Sequence, residues 1–296
     1  MKKIIASGLI LTSMAFFSAC DSGDKGGGAE QSEAEAVQEK MLIKMADEGE
    51  DDIVESFYLP SAIQIGSIFQ KSGLKYLQGL TNPVGNLNKY ETKTSKILNF
   101  GAYSADLAYI VLNGQSQDAT SYLKVVSDLS NEIGFGAIFE SKDLMSRFEN
   151  NLGNRDSIIN IMIDIQVRTD MFVDDNNLQD VTYIIFAGAW VEGMYLGVKA
   201  SDGKSGHLVS GRLVEQMTIL DNLVKALRSN KNQNEDVARL TKELTKLEKF
   251  FNKLEENKDS QKIASFRDYK VSPEHLAELS KTILELRASI INGKDL

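Results

Sequence analysis

Four carboxylates stand inside otherwise apolar stretches of this sequence: Asp106, Asp164, Asp170 and Glu192, in the neighbourhood of Tyr103, Tyr109, Trp190 and Tyr195. A carboxylate that faces a packed interior needs a partner, and a site built that way can bind a ligand. Two such acids enclosed together, roughly 5–10 Å apart, would also suit paired acid–base work. Tyr103, Asp106, Trp190 and Glu192 are therefore the candidate ligand-binding residues. The competing expectation is structural, and the residue types favour it: each acid turns to solvent or pairs with a Tyr hydroxyl, a Lys or an Arg.

Other reactive groups are sparse. The two histidines, His207 and His275, have no carboxylate or second histidine at metal-ligand spacing. There is no Glu-x-x-His pair of the di-iron kind and no His-Glu-x-x-His. No Gly-x-Ser-x-Gly occurs, and no Ser-x-x-Lys lies in a setting that would activate the serine. No glycine loop that could cradle phosphate precedes a helix; Gly134-Phe135-Gly136 reads as a helix stop. The expectation is no catalytic residue, no metal ligand and no cofactor beyond a covalent lipid.

That lipid is expected on Cys20, the single cysteine of 296 residues. Lys2 and Lys3 are followed by an apolar run from Ile4 to about Phe17, the length of an export-signal core and short for a membrane span. The run closes on Phe17-Ser18-Ala19-Cys20, which resembles the lipobox of bacterial lipoproteins, although Phe17 replaces the usual aliphatic residue. The resemblance implies that residues 1–19 are a signal peptide and that Cys20 is acylated and becomes the mature N-terminus. Two or three acyl chains, at about 0.8 kcal/mol per buried CH₂, hold a protein at a membrane stably. Residues 20–31, with Gly26-Gly27-Gly28 at their centre, have the composition of a flexible tether. The body is similar to helical envelope lipoproteins of the Bacteroidota, a group to which no activity attaches. The acidic stretch after Cys20 then points to the outer membrane rather than the inner, with the periplasmic or surface face left open.

Composition narrows the partners. Without Lys2 and Lys3 the basic count falls from 33 to 31 against 42 acidic residues, a net charge of −11. Such a body suits neither nucleic acid nor an electrostatic grip on anionic lipid. The expected partners are the membrane, through the anchor, and an envelope protein.

Residues 32–296 read as one all-α domain, a multi-helix bundle or stack of helical hairpins, of which the tetratricopeptide kind is one form. Only three prolines interrupt it, Pro60, Pro83 and Pro273. Good helix formers occupy 32–48. Pro60 precedes a helix over 61–71, and Leu74, Tyr76, Leu77 and Leu80 suggest a short helix within the loop-rich stretch 72–88. In the central part, about 90–200, apolar periodicity predicts helices over 90–112, 117–134 and 141–151. The segments 156–174, capped from Asn154, and 178–199 are apolar nearly all round and read as central, covered helices. The apolar stretch 183–198 is too short for a membrane span and carries Glu192, so a core helix is expected there too. In the C-terminal part, about 205–292, Leu213 to Leu227, Val237 to Leu254 and Leu276 to Ile290 step by threes and fours, as in a coiled-coil-like hairpin. Ser229 to Glu235 is its turn, 258–272 a polar connection, and Ser272-Pro273 a helix start. Phe100-Gly101-Ala102-Tyr103 resembles Ala187-Gly188-Ala189-Trp190, either an old duplication or two helices that need small residues for close approach.

Three functions compete on this reading. The first is a non-enzymatic envelope lipoprotein that presents a helical body to a partner. The second is a small-ligand binder with a pocket near Trp190 and Glu192, and the third, weaker, is a carboxylate-dependent enzyme.

Overall fold

The computed structural model describes residues 61–293 apart from 72, 74, 140–141, 202–205, 232 and 261–268. They belong to a compact unit running from Phe57 to Leu296. The signal, Cys20, the tether and the expected helix over 32–48 lie outside the described residues.

Every regular element among the described residues is helical. We number the helices α1 (Ala62–Lys71), α2 (Lys93–Leu112), α3 (Ser116–Ile133), α4 (Lys142–Asn150), α5 (Arg155–Asn176), α6 (Gln179–Ser201), α7 (Gly206–Glu215), α8 (Met217–Ser229), α9 (Glu235–Ser260) and α10 (Pro273–Ile291). The boundaries follow local chemistry. Thr92, Asn154 and Ser272 each accept a backbone N–H of the first turn through their side chains, which opens α2, α5 and α10. Pro273 occupies the first turn of α10, where its missing N–H costs nothing. Gly134 ends α3 and Asn177 ends α5 in the left-handed conformation, which glycine and asparagine adopt at low cost.

Two expectations need correction. Described residues between 75 and 80 form no helix; the only helical turn in this stretch is a 3-10 turn at Val84–Lys89. Gly73 and Gly79, both at positive φ, and Pro83 break the pattern that Tyr76, Leu77 and Leu80 suggest. The continuous seam from Leu213 to Leu227 is split at Gln216, which is buried between α7 and α8. The coiled-coil-like hairpin is then α8 and α9, joined through Asn230–Asn234.

The centre of the fold is the contact of α2 with α6. A Cβ on Gly101 would overlap the carbonyl oxygen of Ile185, and one on Gly188 would overlap that of Leu98. The two backbones therefore touch, reciprocally, at the two similar tetrapeptides. Close approach accounts for the small residues there without a repeat. Leu98 lies against Gly188, Gly101 against Ile185–Ala189, and Asp106 against Glu192, so position numbers rise together and the two helices run parallel. α1 joins in the same sense: Ile65 sits over Gly193 and Phe69 over Gly197.

α6 is the core helix its composition predicts. By length and mean hydropathy, 1.4, Gln179–Lys199 could cross a membrane, yet 78% of its most apolar window is buried against its neighbours. α5 departs from expectation. Expected to be apolar nearly all round and covered, it carries seven charged residues; only Ile158, Ile161 and Val173 are buried on it, and Val167 and Met171 are 49% and 58% exposed. Among the described residues it packs on the edge of the α2–α6 pair, with one side exposed.

Candidate functional site

Three helices and one irregular strap bring the predicted acids together. Asp106 comes from α2, Glu192 from α6 and Arg287 from α10, while residues 75–89 pass over them. On α2 the polar positions Asn99, Tyr103 and Asp106 fall at i, i+4 and i+7, one stripe of the helix. On α10, Arg287 sits in step with the buried Leu279, Ile283 and Ile291. The fold thus places a cation within an apolar stripe opposite an acid within another.

Arg287 grips Glu192 with two parallel bonds: Nε donates to Oε2 at 3.0 Å and Nη2 to Oε1 at 2.9 Å. Nη2 also donates to the Leu80 carbonyl at 3.0 Å, and the guanidinium stacks 4.0 Å from the Tyr195 ring centre. Glu192 is 1% exposed and Asp106 is fully buried. Asp106 Oδ2 accepts the Asn82 backbone N–H at 2.9 Å. Its Oδ1 has no donor to accept from. Burial, reinforced by the Glu192 charge, pushes the Asp106 carboxyl well above the ordinary carboxylate range, against the pull of Arg287. Asp106 is therefore held as the neutral acid, and Glu192, gripped by Arg287, is the carboxylate. The cluster carries one positive and one negative charge and no net charge, as burial requires.

The strap is hung from this cluster by its own backbone. Asn82 is the hub. Its Nδ2 donates to the Tyr90 hydroxyl at 2.9 Å and to Asn99 Oδ1 at 3.4 Å, and its Oδ1 accepts from Asn86 at 2.7 Å. The Tyr122 hydroxyl reaches the Asn82 carbonyl at 3.0 Å, and the Tyr103 hydroxyl donates to the Pro83 carbonyl at 2.8 Å. Tyr109 accepts the Leu77 N–H at 2.7 Å and donates to the Lys75 carbonyl at 3.1 Å. A loop that enters a protein must have its backbone groups satisfied, and here tyrosines, one acid and one arginine do so. Desolvation raises the hydroxyls of Tyr103, Tyr109 and Tyr122, the last to about 12, so they remain protonated donors. Asn99 extends the network to α10 by donating to the Ile290 carbonyl at 2.9 Å.

Of the predicted residues, Tyr103, Asp106 and Glu192 meet here. Trp190 is fully buried on α6, and its indole N–H has no hydrogen-bond partner. It belongs to the apolar core and makes no polar contact with the cluster. Asp164 lies elsewhere, bound by Arg147 at 2.9 Å and Arg168 at 3.4 Å, and the Arg147 bond holds its carboxyl below the ordinary range. Asp170 accepts from Gln166 at 2.8 Å. Arg287, Asn82 and Asn99 were missed. Arg287 had a signal, since a charge in phase with an apolar stripe must find a partner. Asn82 had none, because a loop has no periodicity from which to read a face.

A cavity of about 150 Å³, open on one side, lies between the start of α1 and helices α2, α3, α5 and α6. Phe100, Leu107, Leu123, Met162 and Phe186 line it, with Ser104 and Asp170 among its polar groups. None of Tyr103, Asp106, Trp190 or Glu192 faces it. Among the described residues no group of three His, Cys, Asp or Glu is placed to hold a metal ion. No protein-family model, no curated protein and no solved structure matches this chain.

Proposed function

We propose that the protein is an acylated envelope lipoprotein, favouring the outer membrane, whose helical body is a non-enzymatic binding module with α5 as its partner-facing side. The observation that carries this reading is the exposed apolar side of α5, where Val167 and Met171 are 49% and 58% exposed. Large apolar side chains left open together on one helix face are the mark of an interaction surface. The acid cluster supports the reading from the other side. Both acids are buried, Glu192 gripped by Arg287 and Asp106 bound to the strap through the Asn82 N–H, which favours a structural over a catalytic role for them.

The anchor rests on Cys20 and the residues before it. Cys20→Ala should abolish acyl-label incorporation, and labelling equal to wild type would remove the lipoprotein claim. The binding face is tested by a photo-crosslinking residue placed at Met171 and, as a control, at Lys253 on α9. Adducts specific to position 171 in cells are expected. No adduct at 171, or the same adducts at both positions, would defeat this assignment.

A further inference from the structure

Residues 75–89 are held differently from the rest of the fold. Of their side chains only Asn82 is buried; Tyr76, Leu80 and Leu87 are half-buried, and Leu77 and Val84 are exposed. Little apolar burial therefore keeps this strap in place. Its backbone is kept instead by hydrogen bonds from below: Asp106 to the Asn82 N–H, Arg287 to the Leu80 carbonyl, and Tyr103, Tyr109 and Tyr122 to the groups on either side. Segments with few buried apolar contacts open locally, ahead of the whole molecule. Gly73 just before the strap and Gly79 within it, at φ 88° and 82°, supply points where the backbone turns at low cost. Beneath the strap the ionisable groups do not balance by themselves. Asp106, Glu192 and Arg287 are two carboxyls and one guanidinium, all buried, so the closed cluster is neutral only while one carboxyl keeps its proton. Both oxygens of Glu192 are bound by Arg287, whereas Asp106 has one bonded oxygen and one without a partner, so the proton belongs to Asp106.

We propose that residues 75–89 are a proton-gated strap, closed while Asp106 is protonated and opening when it ionises. What the strap gates is the access of water to the polar stripe Asn99, Tyr103 and Asp106 of α2. Opening hydrates Asp106, whose carboxyl then returns towards its ordinary value near 3.8. Above about pH 4 the closed strap thus binds one proton more than the open one. Each unit of rise in pH favours opening by up to about tenfold, until the carboxyl ionises in the closed state too. Besides Glu192 and Arg287, the groups that feel the Asp106 charge are tyrosines: Tyr103 and Tyr109 on its own helix, Tyr122 on α3, Tyr195 on α6, Tyr76 in the strap and Tyr90 at its end. Burial pushes every one of these hydroxyls up, so none of them changes charge near neutrality. The inference needs neither the lipid anchor nor the α5 face.

The test is hydrogen–deuterium exchange of the full-length protein from pH 5 to 8, followed in the peptide spanning residues 75–89 and, as a reference, in α6, with rates corrected for the intrinsic effect of pH. The strap should be less protected than α6 at every pH, and its protection should fall at least about tenfold across the range. Asp106→Asn keeps the acceptor for the Asn82 N–H and cannot ionise, so its strap should lose less than about twofold. Glu192→Gln is the sharper variant. It leaves Arg287 to balance an ionised Asp106, so the pH dependence should vanish although Asp106 can still titrate. A merely structural role for Glu192 would lower protection equally at every pH and keep the slope. Circular dichroism reports that each variant is folded, and either one alone carries the comparison. Wild-type strap protection that does not change with pH, protection equal to that of α6 throughout, or the wild-type slope in either folded variant would each overturn the proposal.

Discussion

Arg287 and Glu192 stabilise the fold as a pair and destabilise it when separated. Both are desolvated, so removing one leaves the other as an uncompensated buried charge, at a cost of about 3–5 kcal/mol. Glu192→Leu and Arg287→Met should each lose that much in urea unfolding. The double variant should lose less than the sum of the two; additivity would show that the bidentate bond contributes nothing. Asp106 gives a prediction in pH. In the unfolded chain it ionises near 3.8, whereas the folded protein keeps its proton to much higher pH. The folded state therefore binds the extra proton above about pH 4. Its stabilisation is complete below that point and is lost as pH rises towards the folded value. Asp106→Asn keeps an acceptor for the Asn82 N–H and cannot ionise, so the urea midpoint should fall less between pH 5 and 8 than in wild type. An unchanged slope would place the proton elsewhere. At this scale the sequence exposed Asp106, Glu192 and Tyr103 as polar residues in apolar surroundings. Trp190, the large aromatic two positions from Glu192, lies fully buried with its indole N–H unpartnered.

Helix α2 can touch α6 only because two glycines leave room. Gly101→Ala or Gly188→Ala places a methyl group inside the partner's backbone carbonyl, and neither helix can shift without disturbing α1, which is seated on the same pair. Each should cost about 3 kcal/mol or more, the upper range of overpacking. Gly153→Ala, whose Cβ would meet nothing, should stay within about 0.5 kcal/mol. Equal melting temperatures for Gly101→Ala and wild type would refute the backbone contact. Helix existence was largely legible because long apolar periods and caps such as Asn154 and Ser272 mark it locally. Less legible is how many neighbours a helix acquires. Both α5 and α6 carry long apolar runs, yet α6 is enclosed and α5 lies at the edge; the charged residues of α5, among them Asp164, Arg168, Asp170, Asp174 and Asp175, were the sign of its open side. The seam through Gln216 was unreadable for a different reason: an apolar stripe runs in phase across a break that only packing reveals.

For the whole molecule, the exposed side of α5 predicts a separation between stability and binding. Val167→Gln with Met171→Gln should change the unfolding free energy by less than about 0.5 kcal/mol, because both side chains are exposed and no charge is added to the acidic end of α5, whereas Leu123→Ala in the core should cost about 2–5 kcal/mol. A large loss in the double Gln variant would make α5 a structural face. The acid–arginine cluster also has a consequence in time. Arg287 is separated from Glu192 by 95 residues and from the Leu80 carbonyl by 207. A chain made from its N-terminus has both acids in place long before their cation exists. Until α10 arrives, Leu80 lacks its donor and Glu192 its counter-charge, so the strap cannot close. A chain ended at residue 270 should be cut by trypsin at Lys75 and Lys89 far faster than the complete one. The last helix then serves as a seal: a prematurely ended product leaves its strap open to proteases, and only a finished chain closes over its own charges.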